Sequence, residues 1–144
     1  MKSIIFSKKN LLAILAGFVV IILLRIITNT FSFFLSLNIA ASFSPQDFNS
    51  AFTQQPYLTY GWLLRIISYL SLILGGFVVG KIVKKNGWIC GIILGLIFVL
   101  ISILGAMLRN KDISPEIFNL SITVALTFLG GYIGETLARK NSKH

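Results

Sequence analysis

Two arginines stand where a charge is costly. Arg25 interrupts the apolar run Leu11–Leu37 and Arg65 the run Tyr57–Val83. A charged side chain at membrane depth faces a bundle interior, a watery cavity or the headgroups. At 1.5 Å per helical residue, Arg25 lies about 21 Å from Leu11 and Arg65 about 24 Å from Lys81, so both fall in the same third of the membrane. Two readings compete. In one, each arginine snorkels along its aliphatic stem to the nearer headgroups as an anchor. In the other, the pair faces the bundle interior and holds a lipid phosphate or another anion, with help from Thr28, Asn29 and Tyr60. No acid lies at matching depth within the runs, and Asp47, in the loop between them, is the nearest candidate partner.

Glu135 precedes Arg139 by one helical turn near the end of the last apolar run, the spacing of an ordinary i, i+4 ion pair. The other acids, Asp47, Asp112 and Glu116, fall in or beside loops. Enzymatic chemistry has little to work with. The sole histidine is His144, and the chain holds no H-E-x-x-H, no clustered metal ligands and no G-x-S-x-G elbow. A serine with no base in reach is inert as a nucleophile. The single cysteine, Cys90, lies in an apolar run, cannot form an internal disulfide and reads as a small hydrophobe. The chain is therefore expected to be no enzyme and to bind no cofactor or metal.

The elements that must position these residues follow from composition. Of 144 residues, 56% are hydrophobic and 12% charged, and a soluble domain carries roughly twice that charged share. The expected fold class is all-α: a polytopic integral membrane protein, a four-transmembrane-helix bundle forming one membrane domain over 1–144. Its spans are expected at about 11–37, 57–83, 88–108 and 115–138, each long enough for ~30 Å of hydrocarbon. A signal peptide is the rival reading of the first run, with Ile39-Ala40-Ala41 as a weak cleavage site; the length of that run and Arg25 within it argue against cleavage.

The net charge of +9 does not point to nucleic acid, because the basic residues cap apolar runs instead of striping a soluble element. Lys2, Lys8, Lys9, Lys81, Lys84, Lys85, Arg139, Lys140 and Lys143 gather on one side, against Arg109 and Lys111 on the other. This bias places both termini in the cytoplasm. The connection Lys84-Lys85-Asn86-Gly87 is too short for anything but antiparallel neighbours. Ser114 and Pro115 suit a helix start. The outer loop 38–56 carries Phe43, Phe48 and Phe52, a pattern that predicts a short surface helix capped by Ser44, with aromatics four apart facing lipid.

The chain also repeats itself. Leu74-Gly75-Gly76-Phe77-Val78 recurs as Leu129-Gly130-Gly131-Tyr132-Ile133, and Lys84-Lys85-Asn86 as Arg139-Lys140-Asn141, at an offset of 55, which also aligns Ser68 with Thr123. Both copies run in the same direction, as expected for two tandem parallel helical hairpins about an axis along the membrane normal. Each span carries small residues four apart: Ala13 and Gly17, Gly76 and Gly80, Gly91 and Gly95, Gly130 and Gly134. Small residues let helix backbones approach in lipid. They predict tight packing within the bundle; a homo-oligomer seam or a hinge at Gly75-Gly76 and Gly130-Gly131 is the alternative.

Gly75-Gly76-Phe77-Val78-Val79-Gly80, then Lys84-Lys85-Asn86-Gly87-Trp88 and Gly91-x3-Gly95, resemble a family of small four-helix prokaryotic membrane proteins of the YrzE type. The resemblance implies a prokaryotic cytoplasmic membrane. Three functional readings follow. The first is a non-catalytic accessory or assembly subunit packed against another membrane component. The second is a small oligomeric channel, transporter or lipid-binding protein using Arg25 and Arg65. The third is an envelope sensor with the outer loop as its receiving element. The expected partners are membrane lipids and a second copy or another membrane protein.

Overall fold

The computed structural model describes residues 7–41, 55–109 and 114–141. Four helices account for nearly all of them: α1 (Lys8–Ala41), α2 (Gln55–Val83), α3 (Gly87–Leu108) and α4 (Ser114–Asn141). All four are long and apolar enough to cross a membrane, over Lys8–Phe34, Gly61–Val83, Gly87–Leu108 and Asn119–Asn141. The helices outrun the expected spans by a few residues, because polar flanks continue a helix once it is nucleated. The surface helix expected near Ser44 lies outside the described residues.

Local sequence sets the ends. Ser7 caps α1, its hydroxyl accepting the Lys9 N–H at 3.3 Å and its carbonyl the Asn10 N–H at 2.9 Å. Lys84 closes α2 by donating its N–H to the Gly80 carbonyl at 3.1 Å, in a left-handed conformation with φ 60°. Asn86 is left-handed too, with φ 62°, and its carbonyl accepts the first N–H groups of α3 from Ile89 and Cys90. Asparagine tolerates that backbone better than most residues, so the chain reverses within three residues.

Packing sets the order α1, α2, α4, α3 across the bundle. α2 and α4 form the centre; α1 lies on α2, and α3 lies on α4 and reaches α2, touching α1 over a shorter stretch. Ile21, Leu72, Val79, Cys90 and Leu94 fill the core, and Ala13 is fully buried beside them.

The glycines are the points of closest approach. A Cβ on Gly17 would stand 2.7 Å from the Gly75 carbonyl oxygen, and one on Gly75 3.0 Å from that of Gly17, so α1 and α2 meet backbone to backbone. On the other flank, a Cβ on Gly91 would lie 2.5 Å from the Thr127 carbonyl, one on Gly131 2.6 Å from that of Gly87, and one on Gly95 3.0 Å from the Val124 Cα. Every packing glycine read from the sequence thus meets another helix of this chain. Between α2 and α4 the contacts are reciprocal. Gly76 faces Thr127 and Gly131, and Gly80 faces Gly131 and Glu135; Gly130 faces Ile73 and Phe77, and Gly134 faces Phe77 and Lys81. The pairs advance together, so the two helices are parallel.

This seam is a local two-fold that exchanges Gly76 with Gly130 and Gly80 with Gly134, an offset of 54 residues. The sequence repeat, offset by 55, pairs Gly75 with Gly130 instead. The two glycine doublets therefore divide their tasks in opposite order. In α2 the first glycine meets the hairpin partner α1 and the second meets α4; in α4 the first meets α2 and the second meets the hairpin partner α3.

Candidate functional site

At the end of the bundle away from the lysines, the four helices part around a cleft of about 450 Å³. Arg25 enters it from α1. On α2, Arg65, Ser68, Tyr69 and Leu72 line it at helical spacing; α3 contributes Phe98, Val99 and Ser102, and α4 contributes Asn119 and Thr123. The cleft is graded. Arg65, Tyr69 and Asn119 are exposed at the rim, while Leu72 at 1% exposure, Phe98, Val99 and Thr123 are buried at the floor. Below the floor the glycine seams bring backbones together, so the cleft is blind.

Both arginines are positioned by aromatic rings. The Arg25 guanidinium carbon lies 4.3 Å from the centroid of the Phe98 ring, and Phe98 packs against Phe18 with centroids 6.3 Å apart. Arg65 lies 5.6 Å from the Trp62 ring. Guanidinium stacking on an aromatic face is attractive and fixes the plane of the fork. The two expected arginines thus come to one cleft from neighbouring helices.

Their expected helpers do not. Thr28 is buried and donates its hydroxyl to the Leu24 carbonyl of its own helix at 2.8 Å; it does not line the cleft, and Asn29 is exposed. The side chain of Tyr60 and all of Asp47 lie outside the described residues. Hydroxyl and amide groups at the same depth take the helpers' place. Ser68 and Thr123 carried a signal, because the internal repeat aligns them; Ser102 and Asn119 carried none. Not every hydroxyl is directed to the cleft. Ser71 bonds the Ser68 carbonyl at 2.6 Å and Thr127 the Thr123 carbonyl at 3.0 Å, the usual way a hydroxyl is satisfied inside a helix.

At the lysine-rich end, Glu135 does more than pair with Arg139. It is 5% exposed. Its carboxylate accepts the backbone N–H groups of Asn86 at 3.2 Å and Trp88 at 3.4 Å, as well as the Arg139 guanidinium. Arg139 also donates from Nε to the Lys84 carbonyl at 3.3 Å. One carboxylate on α4 therefore caps the first turn of α3 and ties down the reversal after α2. Beside it a groove of about 290 Å³ runs between Trp88, Tyr132, Thr136 and Arg139. Cys90 is buried and in no disulfide, and no His, Cys, Asp or Glu side chains cluster as metal ligands among the described residues.

Four long apolar helices packed through glycines, with a graded polar cleft at one end, define a multi-pass membrane protein. The chain belongs to the family described as "Protein of unknown function (DUF3792)", which matches residues 8–134 and so takes in every residue of the cleft. It is similar to the Bacillus subtilis (strain 168) protein named "Uncharacterized membrane protein YrzE", with 36% identity over 87 residues, 58% of this chain. That match covers 57% of the relative's own length. The family expected from the glycine and lysine motifs is thus the one found. No solved structure matches the chain.

Proposed function

We propose that this is a non-catalytic accessory protein of a prokaryotic cytoplasmic membrane that binds an anionic group in the cleft of its four-helix bundle. One observation carries the reading: Arg25 and Arg65, from adjacent helices, line a single cleft with the polar side chains of Ser68, Tyr69, Ser102, Asn119 and Thr123. Arginine forks match oxoanions in shape and charge, and hydroxyl and amide groups complete such a shell. The blind floor favours binding over conduction, since passage would require the α2–α4 seam to open. The lysine bias supports cytoplasmic termini. A carboxyl-terminal fluorescent-protein fusion is accordingly expected to glow, and a periplasmic-type phosphatase fusion at the same point to stay inactive; the reverse pair would invert the orientation.

Replacing both arginines by glutamine tests the site. The purified wild type is expected to gain thermal stability from anionic lipid or phosphate, and the double variant R25Q/R65Q to lose at least tenfold in affinity, about 1.4 kcal/mol. An unchanged response in the double variant would remove the reading.

A further inference from the structure

Resting on that reading, we propose that the anion is the phosphate headgroup of one membrane phospholipid. Its phosphate sits between Arg25 and Arg65, and its glycerol and first acyl carbons lie on Leu72, Phe98 and Val99. Three features of the cleft point there.

The first is size. A water molecule takes about 30 Å³ of liquid volume, and an inorganic oxoanion on the order of two or three times that. A cleft of about 450 Å³ would leave such an ion surrounded by empty or wet space, whereas pockets of a few hundred Å³ fit organic ligands.

The second is its split lining. Arg65, Tyr69 and Asn119 stand at the rim, and the buried floor is mostly apolar, Leu72, Phe98 and Val99 with the one hydroxyl residue Thr123, where Arg25 stacks on the Phe98 ring. A small inorganic anion would leave the apolar Leu72 and Val99 surface unused. An amphiphile uses it as well, because burying its apolar segment adds affinity that the headgroup alone cannot supply.

The third is the approach. Arg65 is exposed and stands between the cleft and the ring of Trp62, which is 64% exposed, and Tyr69 is exposed one turn farther along the same helix. Tryptophan and tyrosine favour the headgroup level of a bilayer. The mouth of the cleft therefore opens beside lipid, and a lipid can reach it by lateral movement without leaving the membrane.

Within this site Phe98 acts as a positioning residue: it forms part of the floor and sets the plane of the Arg25 guanidinium.

The test uses the whole chain in mild detergent, with native mass spectrometry and thermal stability as readouts. The probes are phosphatidylglycerol, diacylglycerol, glycerol 3-phosphate and inorganic phosphate. The expected result is one phosphatidylglycerol retained per chain and a rise of several degrees in the melting midpoint. Diacylglycerol, which lacks the phosphate, and the two soluble phosphates should give little at millimolar concentration. F98L is expected to weaken phosphatidylglycerol binding about tenfold, between the worth of an exposed and that of a fully desolvated cation–π contact, while the ligand-free midpoint stays within a few degrees. F98Y, which keeps a ring face, should restore affinity.

If R25Q/R65Q does not fold, R25K/R65K carries the test: it keeps both charges, loses the planar forks and should still bind several-fold more weakly. Glycerol 3-phosphate or inorganic phosphate binding as tightly as phosphatidylglycerol would overturn the lipid proposal and leave the anion site standing. Diacylglycerol binding as tightly would overturn both, and so would binding of no phosphate-bearing probe. Unchanged lipid affinity in F98L would remove the positioning role.

Discussion

Gly80→Ala is expected to lower the stability of the purified protein by about 2–3 kcal/mol, in the upper range for overpacking a tight interior. The new methyl would meet the Gly131 carbonyl and stand 2.8 Å from the Glu135 nitrogen. These are backbone atoms, which cannot swing aside as the tip of a side chain can. The two central helices would have to separate, and Gly76, Gly130 and Gly134 would lose contacts with them. In lipid, such van der Waals contacts supply much of helix association. Opposing this is the better helix propensity of alanine, about 1 kcal/mol, which is too small to compensate. Gly105→Ala is the matched control, because nothing lies within 4 Å of a Cβ there; propensity acts alone, and the expected change runs from zero to a gain of about 1 kcal/mol. Melting midpoints in detergent, read by fluorescence-detected size exclusion, compare the two. Equal midpoints would mean that α2 and α4 do not meet at this glycine.

Glu135→Ala is expected to cost about 2–4 kcal/mol, since it removes a buried carboxylate that accepts charge-assisted hydrogen bonds from the α2–α3 turn. Two explanations of Glu135 predict different series. If its worth lay in the i, i+4 pair with Arg139, removing either partner would cost the same. If its worth lies in capping α3, the glutamate matters far more. The N–H groups of Asn86 and Trp88 would lose their acceptor, whereas the Arg139 side chain is 58% exposed and its ion pair is screened to ~1 kcal/mol or less. Glu135→Gln keeps a carbonyl oxygen for the cap and should cost less than half of Glu135→Ala. The same midpoints, measured for these two variants and Arg139→Ala, rank the contributions. Equal losses for Glu135→Ala and Arg139→Ala would refute the capping role.

The spans were plain in the sequence because a bilayer demands some twenty apolar residues per crossing, and four such runs leave no other architecture. The shared depth of Arg25 and Arg65 was also legible, since rise per residue converts position into height. What height cannot give is direction around the helix axis. Thr28 and Asn29 stand near Arg25 in sequence but point elsewhere, while Asn119, ninety-odd residues away, lines the same cleft. The glycines announced close packing but not their partners: in lipid nothing in a single apolar helix says which neighbour its small face will meet. That is why the repeat at 55 and the contact symmetry at 54 differ by one residue. The pairing of Glu135 with Arg139 is local and could be read; its grip on Asn86 spans 49 residues and could not.

The place of α4 between α2 and α3 has a consequence for the order of assembly. Ribosomes deliver a chain from its amino end, so three helices reach the membrane before the partner that two of them need most. Until α4 arrives, the glycine groove of α2 is open and the Lys84–Asn86 reversal has no carboxylate to hold it. Asn119 and Thr123, which complete the cleft, come with that final segment. The cleft is therefore completed in one late event, and no partly synthesised chain possesses it whole.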